Sequence, residues 1–228
     1  MSETPDFLTI FFYILVEGIP MTLLLTGMGL LIGFFIGISL ALLRVYGTRE
    51  MGWIGSGYEK VFRGIPLLVL IFIFSFGFPG LFWFINPLQR PLAGVILALA
   101  LRSAAYQSQI FRGAINSVSS GQMEAALAIG MNRLDAIRYI IIPQALRISI
   151  PGWTNEYAIV LKDSSLAAVI GVIEMTKVSY RIAVNFPGLW ELSLIISAIL
   201  YFLFTYPVTR HFGERMTKRL KRLGMGGG

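Results

Sequence analysis

Long apolar stretches separated by short charged segments dominate the pattern of this 228-residue chain. Five of them are long enough to cross a bilayer as helices, which takes roughly 20 apolar residues each. These stretches are residues 19–43, 64–89, 91–111, 148–173 and 192–209. A shorter stretch at 7–16 predicts an interfacial or lead-in helix. The pattern therefore predicts an all-α integral membrane protein with five transmembrane helices in a single domain, 1–228.

The composition agrees with a surface that faces lipid. Hydrophobic residues make up 56% of the chain and charged residues only 14%, whereas a soluble domain usually has about 25% charged residues. The sequence has no cysteine and one histidine, which excludes disulfides, thiol nucleophiles and multi-histidine metal sites. The net charge of +7 does not indicate a nucleic-acid partner, because the basic residues cluster beside the apolar stretches.

The basic residues also predict how the five helices are oriented. Five spans divide the connecting segments into two groups, one on each side of the membrane. Residues 44–63, 112–147 and 210–228 carry fourteen Lys and Arg residues, and residues 1–18, 80–90 and 174–191 carry three. Cytoplasmic loops hold the excess of basic residues in membrane proteins. The N-terminus is therefore predicted outside and the C-terminus in the cytoplasm.

The cytoplasmic segment 113–147 is longer than the other connections, and loops of this length usually have a function. Ser119 and Gln122 match a capping box that begins a short helix. Gly130 suits the end of that helix, and Asn132 suits the N-cap of a second one. We expect a compact knob of two short helices that fits a partner's groove. The alternative is an amphipathic connector that lies on the membrane.

A spaced motif lies within this segment. It reads Glu-Ala-Ala, three residues, Gly, nine residues, Ile, one residue, Ile-Pro. The residues that define it are Glu124, Ala125, Ala126, Gly130, Ile140 and Pro143. This pattern resembles the EAA loop of bacterial ABC importer permeases, in which Leu stands at the position of Ile142. Pro143 also predicts a break or kink at the end of the second short helix.

The resemblance extends over most of the chain. Three segments are similar to permeases for polar amino acids: FRGIPLLV at 62–69, AYQSQIFRGAINSVSSGQMEAALAIGM at 105–131, and IIPQALRISIPGWTNEYAIVLKDSSLAAVIGVIE at 141–174. On these segments the chain is identified as a member of the polar amino acid permease family. The resemblance implies the five-helix fold of the methionine-type importers.

The resemblance also implies a set of partners. In that family two such subunits, identical or related, form a pore in the bacterial inner membrane. Two cytoplasmic ATPases and an external substrate-binding protein complete the importer. No G-x-x-x-x-G-K-[ST] phosphate loop occurs in this sequence. We therefore expect ATP and Mg²⁺ on the ATPase subunits, no cofactor on this chain, and a docking role for residues 124–143.

Charged residues inside the predicted spans are candidates for the substrate path, because charge at membrane depth is costly. Lys162 and Asp163 lie in the fourth span and are followed by Ser164 and Ser165. Together these residues offer a cation for a carboxylate, an anion for an ammonium group, and two hydroxyls. The alternative is that Lys162 and Asp163 pair with each other, or with a neighbouring helix, for structural reasons.

A polar stripe runs along the third span, where Arg102, Tyr106, Gln109 and Gly113 recur at helical spacing. Such a stripe is expected to face the protein interior or a water-filled path rather than lipid. In a path, Arg102 would favour acidic amino acids or their amides. A structural ion pair between Arg102 and Asp163 would cancel that preference.

Functions of two other classes were weighed. An ATP-independent channel or secondary transporter is one alternative, although secondary transporters commonly show internal repeats and no span is duplicated here. A membrane-embedded lipid enzyme is the other, but it needs clustered carboxylates or a His or Cys nucleophile, which the spans lack. Neither class accounts for the spacing of the Glu-Ala-Ala motif.

Overall fold

The computed structural model describes residues 6–78 and 80–222 as a chain of helices joined by short turns. The remaining parts of the predicted domain 1–228, which are residues 1–5, Pro79 and 223–228, lie outside the described residues. Within the described part we number eight helices, and it contains no strand. They are α1 (Phe7–Tyr46), α2 (Arg49–Gly64), α3 (Leu67–Gly77), α4 (Arg90–Asn116), α5 (Ser120–Ala128), α6 (133–163), α7 (Met175–Asn185) and α8 (190–222).

The first helix, α1, is continuous over 40 residues and is therefore about 60 Å long. It begins at Asp6, whose side chain accepts a hydrogen bond of 2.9 Å from the backbone N–H of Thr9. The segment 7–16 is helical, in agreement with the lead-in helix that was one of the two predicted alternatives. It runs into the first apolar stretch through a π-helical turn at Ile14–Gly18, and nothing interrupts the helix there.

The predicted span 64–89 is not one helix. Helices α2 and α3 meet at an angle of 100°, because Pro66 has no N–H to donate and pushes the preceding residue out of the helical region. Helix α3 then ends at Gly77, after six α-helical and five π-helical residues. Such a helix is about 16 Å long, too short to cross a hydrocarbon core of about 30 Å by itself.

Two helices are long and apolar enough to cross a membrane by themselves: α1, and Pro187–Leu220, which is mostly α8. The bent pair of α2 and α3 passes the same test when it is counted as one span. Helix α4, with 27 residues, and helix α6 are long enough but more polar. The chain is thus a multi-helix membrane protein, and its two polar long helices carry most of the candidate path residues.

The segment 113–147 is mostly helical, as predicted. Gly130 has a φ of +89°, which confirms the left-handed end of α5. The side chain of Asn132 accepts a hydrogen bond of 2.9 Å from the backbone N–H of Asp135, which confirms the cap of α6. The capping box is wrong, however, because the side chain of Ser119 makes no capping hydrogen bond.

Of the break or kink predicted at Pro143, the break is wrong. Helix α6 consists of Arg133–Ala136, a π-helical turn at Ile137–Ile141, and Ile142–Asp163, without interruption. The π turn changes the hydrogen-bond pattern just before the proline. The missing N–H of Pro143 is therefore tolerated, and the loop residues and the span form a single helix.

The centre of the fold is the close packing of α1 against α4. A Cβ atom at Gly33 would lie 2.8 Å from Nε2 of Gln107, and one at Gly37 would lie 3.0 Å from the carbonyl oxygen of Ala104. Small residues of this kind allow two membrane helices to approach closely. The buried side chains of Leu25, Leu99 and Val160 fill the space where α6 joins this pair.

Candidate substrate path and coupling surface

An ion pair joins α4 to the end of α6. Arg102 donates through Nη1 to Oδ2 of Asp163, and the two side chains are 22% and 26% exposed. The guanidinium of Arg102 also lies 5.4 Å from the centre of the Tyr106 ring, and that of Arg63 lies 5.0 Å from it. Both distances are typical of cation–π contacts. The structure therefore brings three of the predicted path residues together: Arg102, Tyr106 and Asp163.

Gln109 lies apart from this group, so the predicted stripe is only partly right. Its Nε2 donates a hydrogen bond of 3.0 Å to Oε2 of Glu59. The Ser108 hydroxyl donates one of 2.7 Å to Oε1 of the same residue, and Arg44 forms an ion pair with it. Glu59 is 3% exposed, so Gln109 belongs to a buried cluster that holds α2 against α1 and α4.

Lys162 and Asp163 point in different directions, as adjacent residues of a helix do. Asp163 turns to Arg102, whereas Lys162 lines a groove of about 560 Å³ together with Ser165. The alternative of a pair between Lys162 and Asp163 is therefore wrong, and the alternative of an Arg102–Asp163 pair is right. Ser164 is buried and donates a hydrogen bond of 2.7 Å to the carbonyl oxygen of Leu161.

A chain of buried hydrogen bonds links the three central helices. Gln107 is fully buried and donates to the carbonyl oxygen of Leu30 on α1 at 3.1 Å. It also donates to the Ser103 hydroxyl at 3.0 Å, and that hydroxyl donates to Oε1 of Glu156 on α6 at 2.8 Å. Trp153 of α6 donates to Oε1 of Gln107 at 2.9 Å. Gln107 was not among the residues predicted from the sequence, although Ser103 and Gln107 stand four residues apart on one helix face.

A third buried carboxylate, after Glu59 and Glu156, lies beside the groove. Glu174 is completely buried and caps α7, accepting hydrogen bonds of 2.9 Å and 2.8 Å from the backbone N–H groups of Thr176 and Lys177. The Tyr201 hydroxyl of α8 donates to Oε2 of Glu174 at 2.7 Å. These bonds fix the start of α7 against α8 and shape one wall of the groove.

The Glu-Ala-Ala motif forms an exposed surface where α5 meets α6. Glu124 and Ala125 are exposed, and Ala126 is buried against the remainder of the segment. Large apolar side chains also lie in the open, with Ile129 at 77% and Leu134 at 78% exposure. We call seven of the exposed residues of this segment the coupling surface: Glu124, Ala125, Leu127, Ile129, Gly130, Leu134 and Pro143.

The coupling surface is attached to two helices. The guanidinium of Arg133 lies 5.8 Å from the centre of the Tyr46 ring at the end of α1, and Gln144 donates a hydrogen bond of 3.3 Å to Gln122. Ile140 is half-buried behind the surface. Because α6 is continuous, the surface and the Arg102–Asp163 pair lie near opposite ends of the same helix.

Comparisons with known proteins agree with this architecture. A family model described as binding-protein-dependent transport system inner membrane component matches residues 29–218. A nopaline transport system permease protein from Agrobacterium fabrum is 37% identical over 204 residues, which cover 86% of this chain and 83% of the relative. A glutamine transport system permease protein from Escherichia coli is 36% identical over 216 residues, which cover 92% and 94% of the two chains.

Solved structures show the same fold. One is the crystal structure of an amino acid ABC transporter, with a TM-score of 0.76 and 32% identity over 94% of this chain and 99% of that chain. Another is the MetNI methionine ABC transporter in an inward-facing conformation, with a TM-score of 0.70 over 88% of this chain and 95% of that chain. At 19% identity the second likeness shows the fold alone.

The chain therefore belongs to the family of inner membrane components of binding-protein-dependent transport systems. It is a permease subunit of an ABC importer with the methionine-type fold, as the resemblance of its motifs to polar amino acid permeases implied. Membership in this family confirms the prediction that the chain is a transport subunit and not an enzyme. It also implies an ATPase and a substrate-binding protein as partners, without specifying their number.

Proposed function

We propose that this permease moves polar amino acids into the cytoplasm of a bacterial-type cell, driven by ATP that a partner hydrolyses. Relatives that cover most of the chain are named as permeases for glutamine and nopaline, and the similar solved structure is an amino acid transporter. The observation that carries the proposal is the single helix α6. It starts at the coupling surface and ends at the charged residues Lys162 and Asp163.

Five spans are proposed for the inner membrane. They are α1, the predicted stretch 64–89 with α3 in it, α4, α6 and α8, while α2 with Arg49, Lys60 and Arg63 lies on the cytoplasmic side. The N-terminus lies outside and the C-terminus in the cytoplasm, which agrees with the distribution of Lys and Arg residues. This arrangement places the segment 113–147 in the cytoplasm, where an ATPase can reach the coupling surface.

The proposed complex contains a dimer of cytoplasmic ABC ATPases, a second permease subunit and an external substrate-binding protein. The second permease is an identical or a related chain. ATP and Mg²⁺ belong to the ATPase, and this chain needs no cofactor. The exposed apolar side chains of Ile129 and Leu134 support the ATPase contact, since burying them against a partner is favourable. Nucleotide-driven movement of the ATPases would then tilt α6.

We assign the substrate pathway to the seven residues predicted from the sequence: Arg102, Tyr106, Gln109, Lys162, Asp163, Ser164 and Ser165. Their roles differ with their contacts. The ion pair neutralises the charge of Arg102, which removes the physical basis for an acidic substrate and favours neutral or zwitterionic ones. Lys162 and Ser165 face the groove and are able to contact substrate directly. Gln109 and Ser164 support neighbouring helices.

Reconstitution tests the proposal against the alternatives. The chain, its ATPase and its binding protein are placed in proteoliposomes, and uptake of labelled glutamate, glutamine, arginine and histidine is measured with and without ATP. We expect uptake of at least one of them only with ATP. Equal uptake without ATP would indicate a channel or secondary transporter, and turnover of lipid without uptake would indicate an enzyme.

A second experiment tests the coupling surface. We expect Glu124→Arg to abolish the stimulation of ATPase activity by loaded binding protein while membrane insertion is retained. Glu214→Arg is the matched control, because Glu214 is exposed on α8 outside the segment and undergoes the same change of charge. Equal stimulation in both variants would show that residues 124–143 are not the docking element.

A further inference from the structure

A polar groove lies between the end of α6, the start of α7 and the middle of α8. Six of its lining residues are polar: Lys162, Ser165, Thr176, Ser197, Tyr201 and Thr205. Polar groups exposed to hydrocarbon are costly, so a groove that opened only onto lipid would be lined by apolar side chains. Leu194, Ala198 and Phe202 complete the lining, so the polar side chains favour water or a polar ligand only in the part of the groove that they face.

Three polar groups of the groove, on Lys162, Ser165 and Ser197, have no partner among the described residues. Lys162 is exposed. It takes part in none of the three ion pairs that the described residues, 6–78 and 80–222, form. Ser197 is only 4% exposed, and its hydroxyl makes no hydrogen bond within the described chain. Buried polar groups are nearly always hydrogen-bonded, so an orphaned hydroxyl beside a cavity calls for a ligand or water.

Three hydroxyls of the groove are already engaged. The Tyr201 hydroxyl donates to Glu174 at 2.7 Å and lies 3.3 Å from Oγ1 of Thr176. The Thr205 hydroxyl donates to the carbonyl oxygen of Tyr201 at 2.9 Å. The groove therefore has one cation to spare and two hydroxyls, those of Ser165 and Ser197. A group that accepts hydrogen bonds and carries negative charge is the best match for these donors.

We propose that this groove binds the α-carboxylate of the transported amino acid. Lys162 Nζ pairs with the carboxylate, and Ser197 Oγ donates a hydrogen bond to it. The inference rests on the proposed amino acid transport and deepens it, because it assigns one chemical group of the substrate to one place in the chain. All α-amino acids carry this group, so Lys162 contributes equally to every amino acid that the complex moves.

The test measures binding in matched variants of the permease–ATPase complex, and uptake separately in proteoliposomes that also contain the binding protein. Labelled glutamine, arginine, glutamate and histidine are added to the permease–ATPase complex without the binding protein, so that the selectivity of that protein does not enter. Lys162→Met lowers the affinity for each bound amino acid by about tenfold or more, as expected for a lost charge-assisted bond. Lys162→Arg restores most of it. Lys60→Met is the control, because Lys60 is an exposed lysine on α2 outside the groove.

A competition experiment identifies the group that is bound. Unlabelled glutamine α-amide, which has no carboxylate, competes poorly with labelled glutamine in the unmodified complex. In Lys162→Met, unlabelled glutamine and unlabelled glutamine α-amide compete with labelled glutamine almost equally well. If Lys162→Met does not assemble, Ser197→Ala is used instead. Ser197→Ala should weaken glutamine binding severalfold. Unchanged glutamine binding in whichever of the two variants assembles overturns the proposal.

A phosphate headgroup of a lipid offers the same anionic chemistry, and the vesicle composition separates the two sources. If the defect of Lys162→Met follows the content of phosphatidylglycerol and is independent of the amino acid, the groove is a lipid site and the proposal is wrong. The proposed transport function and the proposed carboxylate site are refuted by different results. No uptake by the unmodified complex refutes the transport function, whereas equal uptake by unmodified complex and Lys162→Met refutes only the groove.

Discussion

Arg102 and Asp163 form an ion pair across two helices, although they stand 61 positions apart in the sequence. Neither side chain is fully buried within this subunit. The pair cancels the charge of Arg102, whereas the neighbouring Arg63, which lies against the same Tyr106 ring, forms no ion pair among the described residues. At Arg102 itself a substrate meets a closed pair rather than a free cation.

Breaking the pair should change substrate preference. Asp163→Asn leaves the charge of Arg102 uncompensated, and we expect the ratio of glutamate to glutamine uptake to rise about fivefold, which corresponds to roughly 1 kcal/mol for a partly exposed pair. The measurement is uptake of both amino acids by the same preparation. Glu191→Gln removes an exposed carboxylate of α8 and should leave the ratio as it is. An unchanged ratio in Asp163→Asn would mean that substrate does not pass Arg102.

Gly130 should be required for its backbone conformation and not for its small size. A Cβ atom there would meet no atom within 4 Å, but the φ of +89° disfavours L-residues. We expect Gly130→Val to cost about 1–2 kcal/mol and to reduce stimulated ATPase activity strongly. Gly130→Asn should retain most activity, since asparagine adopts this conformation more easily. Equal loss in both variants would point to a contact at Gly130 instead.

The contact of α1 with α4 should be sensitive to a single methyl group. A Cβ atom at Gly37 would lie 2.9 Å from Cβ of Gln107, whereas one at Gly27 would meet nothing within 4 Å. We expect Gly37→Ala to destabilise the protein by about 1–3 kcal/mol through overpacking. Gly27→Ala on the same helix should be neutral or slightly stabilising. Thermal unfolding in detergent compares the two, and equal midpoints would refute the close contact.

Glu59 should be necessary for the position of α2. It accepts hydrogen bonds from Ser108 and Gln109 and pairs with Arg44. Glu59→Gln leaves Arg44 without its anion, and we expect a loss of about 3–5 kcal/mol in stability, as for other broken buried pairs. Glu50→Gln, an exposed change on the same helix, is the control. The double variant Arg44→Met with Glu59→Met should recover part of the loss, because no charge is then left unpaired.

The sequence predicted the class of fold and the two most apolar spans well. Residues 19–43 lie inside α1 and 192–209 inside α8, because long uncharged stretches leave little choice in a membrane. The stretch 64–89 misled the prediction, since hydropathy does not register how sharply Pro66 turns the chain. Helix α2 was overlooked as an element for a related reason: its polar composition is typical of a connector.

The site was harder to predict than the fold. Helical spacing placed Arg102 and Tyr106 on one face correctly, because they belong to the same helix. Spacing along one helix cannot identify partners on another, so the bond of Gln109 to Glu59 and the position of Ser197 beside Lys162 were beyond its reach. The ion pair of Arg102 and Asp163 was predicted only as one alternative among several. Both charges were expected to avoid lipid, but that expectation does not select the partner of either one.

The unbroken course of α6 through Pro143 gives the proposed coupling a continuous helical connection, in which the π turn at Ile137–Ile141 and the internal Pro151 are the points where a helix can bend. The helix has 31 residues from Arg133 to Asp163 and is about 46 Å long. If the Arg133 end is pushed so that the helix tilts by about 10°, the Asp163 end moves by roughly 8 Å over this length. A break in the helix at Pro143 would have absorbed this movement before it reached the part of α6 that spans the membrane.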